Sequence, residues 1–516
     1  MLRTARKQSV LTNRARGTAP LRRPGAVAID DHGDDRKLSA VAGSNGVSGL
    51  GCGARHSLSR NDENARLLRY EDKIKHAFDA IVPTLKFLSA IQHESEFEVK
   101  AQRISRDQLG FALPEAILSD AWVEQLDMRR LFAWCVFNTY TRFCDEFFTS
   151  HASSDSSEEE FDVFLQSCGF HTMDITPCAD GRLAHLVRYV LRLPPRAVRR
   201  KSYAGAMFDV EDSLEKWIEI ELQRFREGKP NTVDAPTRYL KVVAYHFSSG
   251  NPQHEGCAAH GSDTQKAAQS GLERLVNFRQ AIENSFCCGA SIDLLLIGVD
   301  TDTDSIRLHI PDGQGQMELD RYIDTKSFYA DTESLDAMSA MQAIESEIRT
   351  CSPEVTKGMA QLIARLIENN LSQIAYVLGC HGGCYPDIGH AERFIGAGVG
   401  FEEIQLRNLM YFAYLNTVEE GAADLDVGIR IFKSLNVSHG LPVPVVVRFD
   451  YHGDVPGARE RAEQRCGRVA EALCGRYEDL YKQGLLHVLQ VARDCDSNGP
   501  LEIFSCSVNT SDVGGH

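Results

Sequence analysis

The chain has 516 residues, 43% of them hydrophobic and 25% charged, enough for a globular protein of roughly two to four domains. Its formal net charge of −16 at pH 7 argues against a general nucleic-acid binder, which neutralises phosphates with an excess of Lys and Arg. The longest apolar runs, such as LLLIGV at 294–299, are too short to span a bilayer, and no apolar signal core follows the start methionine, so neither membrane insertion nor secretion by that route is expected.

Residues 1–23 carry seven basic side chains (Arg3, Arg6, Lys7, Arg14, Arg16, Arg22, Arg23) and no acidic one. Such a start fits a tail that docks on an acidic partner, an organelle transit segment, or a simply solvated tail. To residue 60 the chain is rich in Gly, Ser, Arg and Asp and lacks apolar periodicity, so a disordered basic tail is expected over 1–60. From Glu63 to Phe148 apolar residues recur at three-to-four spacing, as in LLRYEDKIKHAFDAIVPTLKFLSAI (67–91), which predicts an all-helical domain over 61–155. SSDSSEEE (153–160) closes it as an acidic linker or a helix start.

Strands then alternate with helices. LKVVAYHF (240–247) reads as a buried strand, SDTQKAAQSGLERLVNFRQAIEN (262–284) as a helix capped by Ser or Asp, and SIDLLLIGVD (291–300) as a second buried strand. The same order returns about 200 residues later in LPVPVVVRFDY (441–451), GARERAEQRCGRVAEALCGRYEDLYKQ (457–483) and LLHVLQVARD (485–494). This is α/β architecture with sheets covered on their faces. DIGHAER (387–393) also echoes DITPCADGR (174–182), with His390 standing for Cys178 and Glu392 for Asp180. The pattern suggests a degenerate internal duplication whose second copy has no Cys–His–Cys set.

The fifteen cysteines have no regular spacing and are expected to be reduced, leaving thiolate available to a metal. In DITPCADGRL (174–183), Cys178, Asp180 and Arg182 occupy alternate positions, so in an extended segment they share a face. Downstream, YHFSSGNPQHEGCAAHGS (245–262) offers His246, His254, Cys257 and His260. A buried cysteine is more often small core filler than a ligand. Its coincidence with a carboxylate, a guanidinium and a His/Cys segment reverses that balance. Two thiolates and one imidazole around an open fourth position describe a catalytic zinc site, and sulfur with nitrogen favours zinc over magnesium or calcium. Spacing leaves two candidate histidines: His254 stands three residues before Cys257, and His246 ends a buried strand, where α/β sheets build their sites. DTDTDS (300–305) is not a calcium loop, because the required glycine is Ser305 and the twelfth position is Pro311. CADGR has too few residues between Cys and Arg for a phosphatase cradle.

Cys-x-Asp-x-Arg followed by a His and a Cys resembles the β-class carbonic anhydrases. DITPCADGRL, CAAHGS, LLIGVDTDTDSIR and IGHAERF resemble its divergent branch, the carboxysome shell carbonic anhydrases, formerly the ε class. The resemblance implies an N-terminal helical domain, a β-carbonic-anhydrase-like zinc domain over 156–390, and a degenerate, metal-free copy over 391–516. It implies zinc, one ion per chain, on Cys178, His246 and Cys257, since this branch places its histidine eleven residues before the cysteine. Zinc lowers the pKa of bound water to about 7, giving hydroxide to attack carbon dioxide. Asp180 and Arg182 would form the dyad that orients it, and His390 would relay a proton. The implied function is interconversion of bicarbonate and carbon dioxide in an α-carboxysome, in the lumen or on the inner face of the shell, supplying Rubisco. Implied partners are Rubisco or shell proteins, met through the basic tail, and further copies of the chain as a homodimer or larger homo-oligomer.

Overall fold

The computed structural model describes residues 56–508, apart from 122, 151–154, 196, 230, 233, 235, 287–290, 402–403, 416 and 498. The basic segment and most of the tail expected over 1–60 lie outside the described residues. Residues 56–60 belong to the fold: the buried His56 ring stacks on Tyr329 at 5.1 Å and hydrogen-bonds Thr332 Oγ1 at 3.0 Å, and Arg60 donates to Asn369 Oδ1 at 2.8 Å. Among the described residues, no helix is long and apolar enough to cross a membrane, and Cys178 and Cys257 are free thiols.

The helical region comprises α1 (Asn61–Asp79), α2 (Ile81–Ile91), α3 (Phe97–Gln108), α4 (Glu115–Asp120) and α5 (Met128–Ser150). The apolar run over 67–91 is two helices. Pro83 has no N–H to donate back to the preceding turn and is tolerated only in the first turn of a new helix, so the chain restarts at Ile81. Leu67, Ile74, Phe78, Leu85 and Leu88 line the inner faces and join Tyr140 of α5 in a core that includes Phe394, Phe412 and Val446 from the far end of the chain. Of the two readings of 153–160, linker or helix start, the second holds: 155–160 open α6 (Asp155–Ser167), while 153–154 lie outside the described residues.

A six-stranded sheet follows, built from β1 (Thr172–Pro177), β2 (Arg199–Arg200), β3 (Arg238–Phe247), β4 (Ser291–Asp300), β5 (Ile306–His309) and β6 (Tyr322–Asp324), with α7 (Val210–Arg226) and α8 (Thr264–Phe286) inserted. Its order is β2-β1-β3-β4-β5-β6; the first four strands are parallel and the last two antiparallel. The apolar runs at 240–247 and 291–300 become β3 and β4, the sheet's centre, where burial on both faces needs no polar alternation. Asp263 caps α8, accepting from the Lys266 N–H at 3.0 Å. The acidic DTDTDS stretch is the β4–β5 turn: Asp300 Oδ1 accepts from the Ser249 N–H (3.1 Å) and Asp302 Oδ2 from the Gly250 N–H (2.6 Å), which pins the loop after β3.

Helices α9 (Thr325–Thr332), α10 (Ala337–Cys351) and α11 (Lys357–His381) lead to a second sheet of β7 (Phe394–Val399), β8 (Met410–Tyr414), β9 (Val443–Phe449), β10 (Leu486–Ala492) and β11 (Glu502–Cys506), with α12 (Val418–Leu435), α13 (Ala458–Arg476) and α14 (Glu478–Lys482) between them. Its order, β8-β7-β9-β10-β11, repeats β2-β1-β3-β4-β5 in sequence rank, and every pair matches in direction, three parallel and one antiparallel. The single helix expected over 457–483 breaks at Tyr477, whose φ of −113° and ψ of 41° leave the helical region. The protein is thus a mixed α/β fold with two largely parallel sheets and a helical N-terminal region.

The two stretches of the suggested internal echo do not occupy the same place in the two sheets. DITPCADGR is a strand and the loop after it, whereas DIGHAER precedes β7. By topology β7 matches β1, so Gly400, not His390, follows the strand where Cys178 follows β1.

Candidate active site

The carboxyl ends of parallel strands are where an α/β sheet leaves side chains unpaired above its edge. Cys178 is the first residue after β1, held by its N–H donating to Ala244 O at 3.3 Å and by the Gly205 N–H donating to its Sγ at 3.2 Å. His246 is the penultimate residue of β3 and fully buried. Cys257 opens a short 3-10 turn (Ala258–His260) and accepts from the His260 and Ser262 N–H groups through its carbonyl. One donor atom from each of Cys178, His246 and Cys257 lies within 4.8 Å of the others, and the two sulfurs are 4.0 Å apart.

The donor chemistry fits a soft divalent cation. Both ring nitrogens of His246 are buried and make no hydrogen bond, a costly state for an imidazole without a further ligand. Contact between the sulfurs pushes the Cys178 thiol up, with burial adding to it, and brings the Cys257 thiol down. A cation at their focus is what allows both to ionise. The exposed His254 sits in the turn after β3 and is not in this group. His260 is a neighbour, its Nε2 3.3 Å from Gly205 O.

Beside the donors, Asp180 and Arg182 form a buried bidentate pair. Arg182 Nε donates to Oδ1 at 2.9 Å and Nη2 to Oδ2 at 2.7 Å, while the Arg182 backbone N–H also reaches Oδ1 at 2.9 Å. The remaining guanidinium protons go to three backbone carbonyls: Glu255 (2.6 Å) and Ile388 (3.1 Å) from Nη1, and Gly256 (3.4 Å) from Nη2. Burial opposes ionisation of Asp180, but the Arg182 guanidinium, with His390 and His246 behind it, outweighs burial and holds the carboxyl well below the usual range. Asp180 Oδ2 is 3.5 Å from His246 Nε2 and 3.9 Å from His390 Nε2. All six residues picked from the sequence therefore meet in one place, with Arg182 straddling two distant loops.

The second half of the chain closes the site. The Asn408 N–H donates to Gly181 O (2.9 Å), the Phe412 N–H to Ala179 O (3.3 Å), and Asp424 Oδ1 accepts from the Ala204 N–H (2.6 Å). Burial raises the Asp424 carboxyl to about 6. Glu392 packs directly on Gly181, where a Cβ would lie 2.4 Å from Glu392 Cγ, so that loop position requires glycine. Sequence reasoning missed these residues as parts of the site. Only the motif IGHAERF signalled that the region mattered, and it gave Glu392 the wrong place.

Three family models match the chain in succession: the N-terminal part of the carboxysome shell carbonic anhydrases over residues 56–148, their catalytic domain over 160–390 and their C-terminal part over 391–508. Curated relatives match over most of their length. The carboxysome shell carbonic anhydrase of Prochlorococcus marinus (strain MIT 9313) is 51% identical over 496 residues, 95% of each chain. That of Parasynechococcus marenigrum (strain WH8102) is 54% identical over 459 residues, 88% of this chain and 79% of the relative. That of Halothiobacillus neapolitanus is 44% identical over 460 residues, 87% and 90%. With matches of this extent laid over a buried Cys–His–Cys focus and its Asp–Arg pair, the chain belongs to the carboxysome shell carbonic anhydrase family and is a carbonic anhydrase.

Proposed function

We propose that the chain binds one zinc ion on Cys178, His246 and Cys257 and interconverts bicarbonate and carbon dioxide inside a carboxysome, in the lumen or on the inner face of the shell, supplying Rubisco. The observation that carries this reading is the convergence of two thiols on a buried histidine whose ring nitrogens make no hydrogen bond, next to an ionised carboxylate. Held by these three residues, zinc would supply Lewis acidity that activates water near neutral pH.

The protein's own groups do the rest. Asp180 keeps its charge and, having no proton to donate, accepts only from an oxygen that carries one; it therefore selects water or the protonated oxygen of bicarbonate and orients it. Arg182 locks the rotation of that carboxylate through two hydrogen bonds and is itself anchored on three carbonyls. His390 faces Asp180 with Nε2, and its accessible edge gives a proton a way toward solvent.

The tail, the helical region, the zinc domain and the C-terminal domain divide near residues 60, 155 and 390 in this reading. The shared strand order supports a β-carbonic-anhydrase-like sheet followed by a degenerate copy of it. The last paired residues are Pro177↔Ala244 in one sheet and Val399↔Phe449 in the other. Counting on from them, Gly400 and Tyr451 occupy the places of Cys178 and His246, so that copy keeps no soft ligand there.

The chain works as a homodimer or larger homo-oligomer in this reading, and its basic tail docks on Rubisco or a shell protein. Removing residues 1–50, which spares the packed His56, is expected to abolish co-sedimentation of the enzyme with carboxysomes and leave turnover intact; full retention would refute tail docking. The enzyme reading is tested by metal analysis and stopped-flow hydration of carbon dioxide. About one zinc per chain with fast turnover is expected, and Cys178→Ala should lose both. Bound zinc with no turnover in the wild type would defeat the reading.

A further inference from the structure

Glu392 is deeply buried, with no side-chain surface exposed, and makes two contacts through one oxygen. Oε1 accepts from the Gly181 N–H at 3.2 Å and lies 2.9 Å from His390 Nδ1. Oε2 is buried and makes no hydrogen bond. Beside it lies a cavity of about 290 Å³ whose lining mixes apolar side chains such as Phe132 and Leu435 with Arg393 and Asn436; Arg393 donates to Asp79 and Asn436 to the Pro442 carbonyl, so neither reaches Oε2. An amide oxygen would satisfy the Gly181 N–H equally well. A buried carboxylate with one oxygen unpaired is costly, and what distinguishes it from the amide is its charge.

That charge faces one side of the His390 ring while Asp180 faces the other, with Nε2 3.9 Å from Asp180 Oδ2. A proton on Nδ1 fixes which nitrogen points at Asp180, because the partner of one ring nitrogen sets the role of the other. The groups around His390 are Asp180 and Arg182 from the loop after β1, Glu392 from its own segment, and Glu255, whose carboxylate stands against Gly389.

We propose that Glu392 is a positioning residue for the reaction, gripping Nδ1 of His390 and the Gly181 N–H together so that Nε2 of His390 stays aimed at Asp180. The proposal rests on the relay role given to His390 above. Burial lowers the basicity of this imidazole, and the carboxylates of Asp180 and Glu392 more than offset it, carrying its pKa up to about 9. The ring is therefore charged at neutral pH and becomes able to accept a proton as pH rises toward that value.

The test uses the full-length holoenzyme and Glu392→Gln, which keeps the size and an acceptor for Gly181 but removes the charge. His390 is followed by NMR of ¹³C-labelled histidine, assigned by difference from His390→Gln. Its titration midpoint is expected to fall by about one unit or more in Glu392→Gln. kcat is expected to fall about 10-fold, with kcat/KM falling far less and added imidazole restoring kcat. In the His390→Gln background, Glu392→Gln should cost nothing further. An unchanged midpoint, or a further loss in the double variant, would overturn the proposal. A His390→Gln enzyme with wild-type kcat would instead overturn the relay reading and the catalytic part of this proposal with it, while Cys178→Ala still tests the enzyme itself.

Discussion

His246→Ala is expected to strip the metal and reduce turnover to background, whereas His254→Ala keeps both within about twofold. Losing a residue that merely supports a ligand typically costs 10–100-fold in metal affinity, so removing a ligand should cost more than about 100-fold. The physical basis is placement. The backbone of His246 is held in the β3 ladder opposite Val299, two residues beyond the Pro177–Ala244 pair, and its ring is fully buried beside the two sulfurs. His254 lies exposed in a turn whose backbone is held by Asn251. Zinc per chain, counted on both purified variants beside carbon dioxide hydration, decides between them. Metal lost from His254→Ala and kept in His246→Ala would reverse the assignment.

Arg182→Met should be the most damaging change to both fold and activity among the residues around the donors. It leaves the Asp180 carboxylate without its counter-charge and three carbonyls without their donor, all in a dry interior. Removing one partner of a buried ion pair costs about 3–5 kcal/mol. Lysine would not rescue it, because a point charge cannot hold both carboxylate oxygens and the carbonyls of two loops. Urea unfolding gives the stability. Asp180→Asn/Arg182→Met should recover part of the loss, since the uncompensated charge is gone, yet stay inactive because nothing ionised remains to orient the substrate. A single variant as stable as wild type would show that the pair contributes little to the fold.

The residues gathered at the site were legible because their signal is local. Cys178, Asp180 and Arg182 share one short stretch, and His246 ends a run apolar enough to be a central strand. β3, β4, β9 and β10 were readable for the same reason: a strand buried on both faces shows itself without alternation. The short edge strand β2, with two residues, and β6, with three, have no such pattern, and their pairing depends on neighbours far along the chain. The break at Ile81 was marked by Pro83, but the apolar period runs across it unbroken. The walls of the site taken from residues 387–424 could not be seen locally, because nothing in the sequence says which backbone carbonyl Arg182 will reach. The echo at 387–393 misled for a related reason: similar letters served a strand and its loop in one place and a docking segment in the other.

The site's walls come from both halves of the chain, and that has a consequence for how it is made. A ribosome delivers Cys178 and Cys257 well before Glu392, Asn408, Phe412 and Asp424. At about 5–20 residues per second, the gap between the first thiol and the last of these residues is on the order of tens of seconds. From Cys257 onward the nascent chain carries both thiols while their shelter has not yet been synthesised, in competition with any oxidant or stray metal around it. The C-terminal half is thus the late-arriving roof of the half that carries Cys178 and Cys257, and a cell that shortened the protein by shedding it would uncover the chemistry it meant to keep.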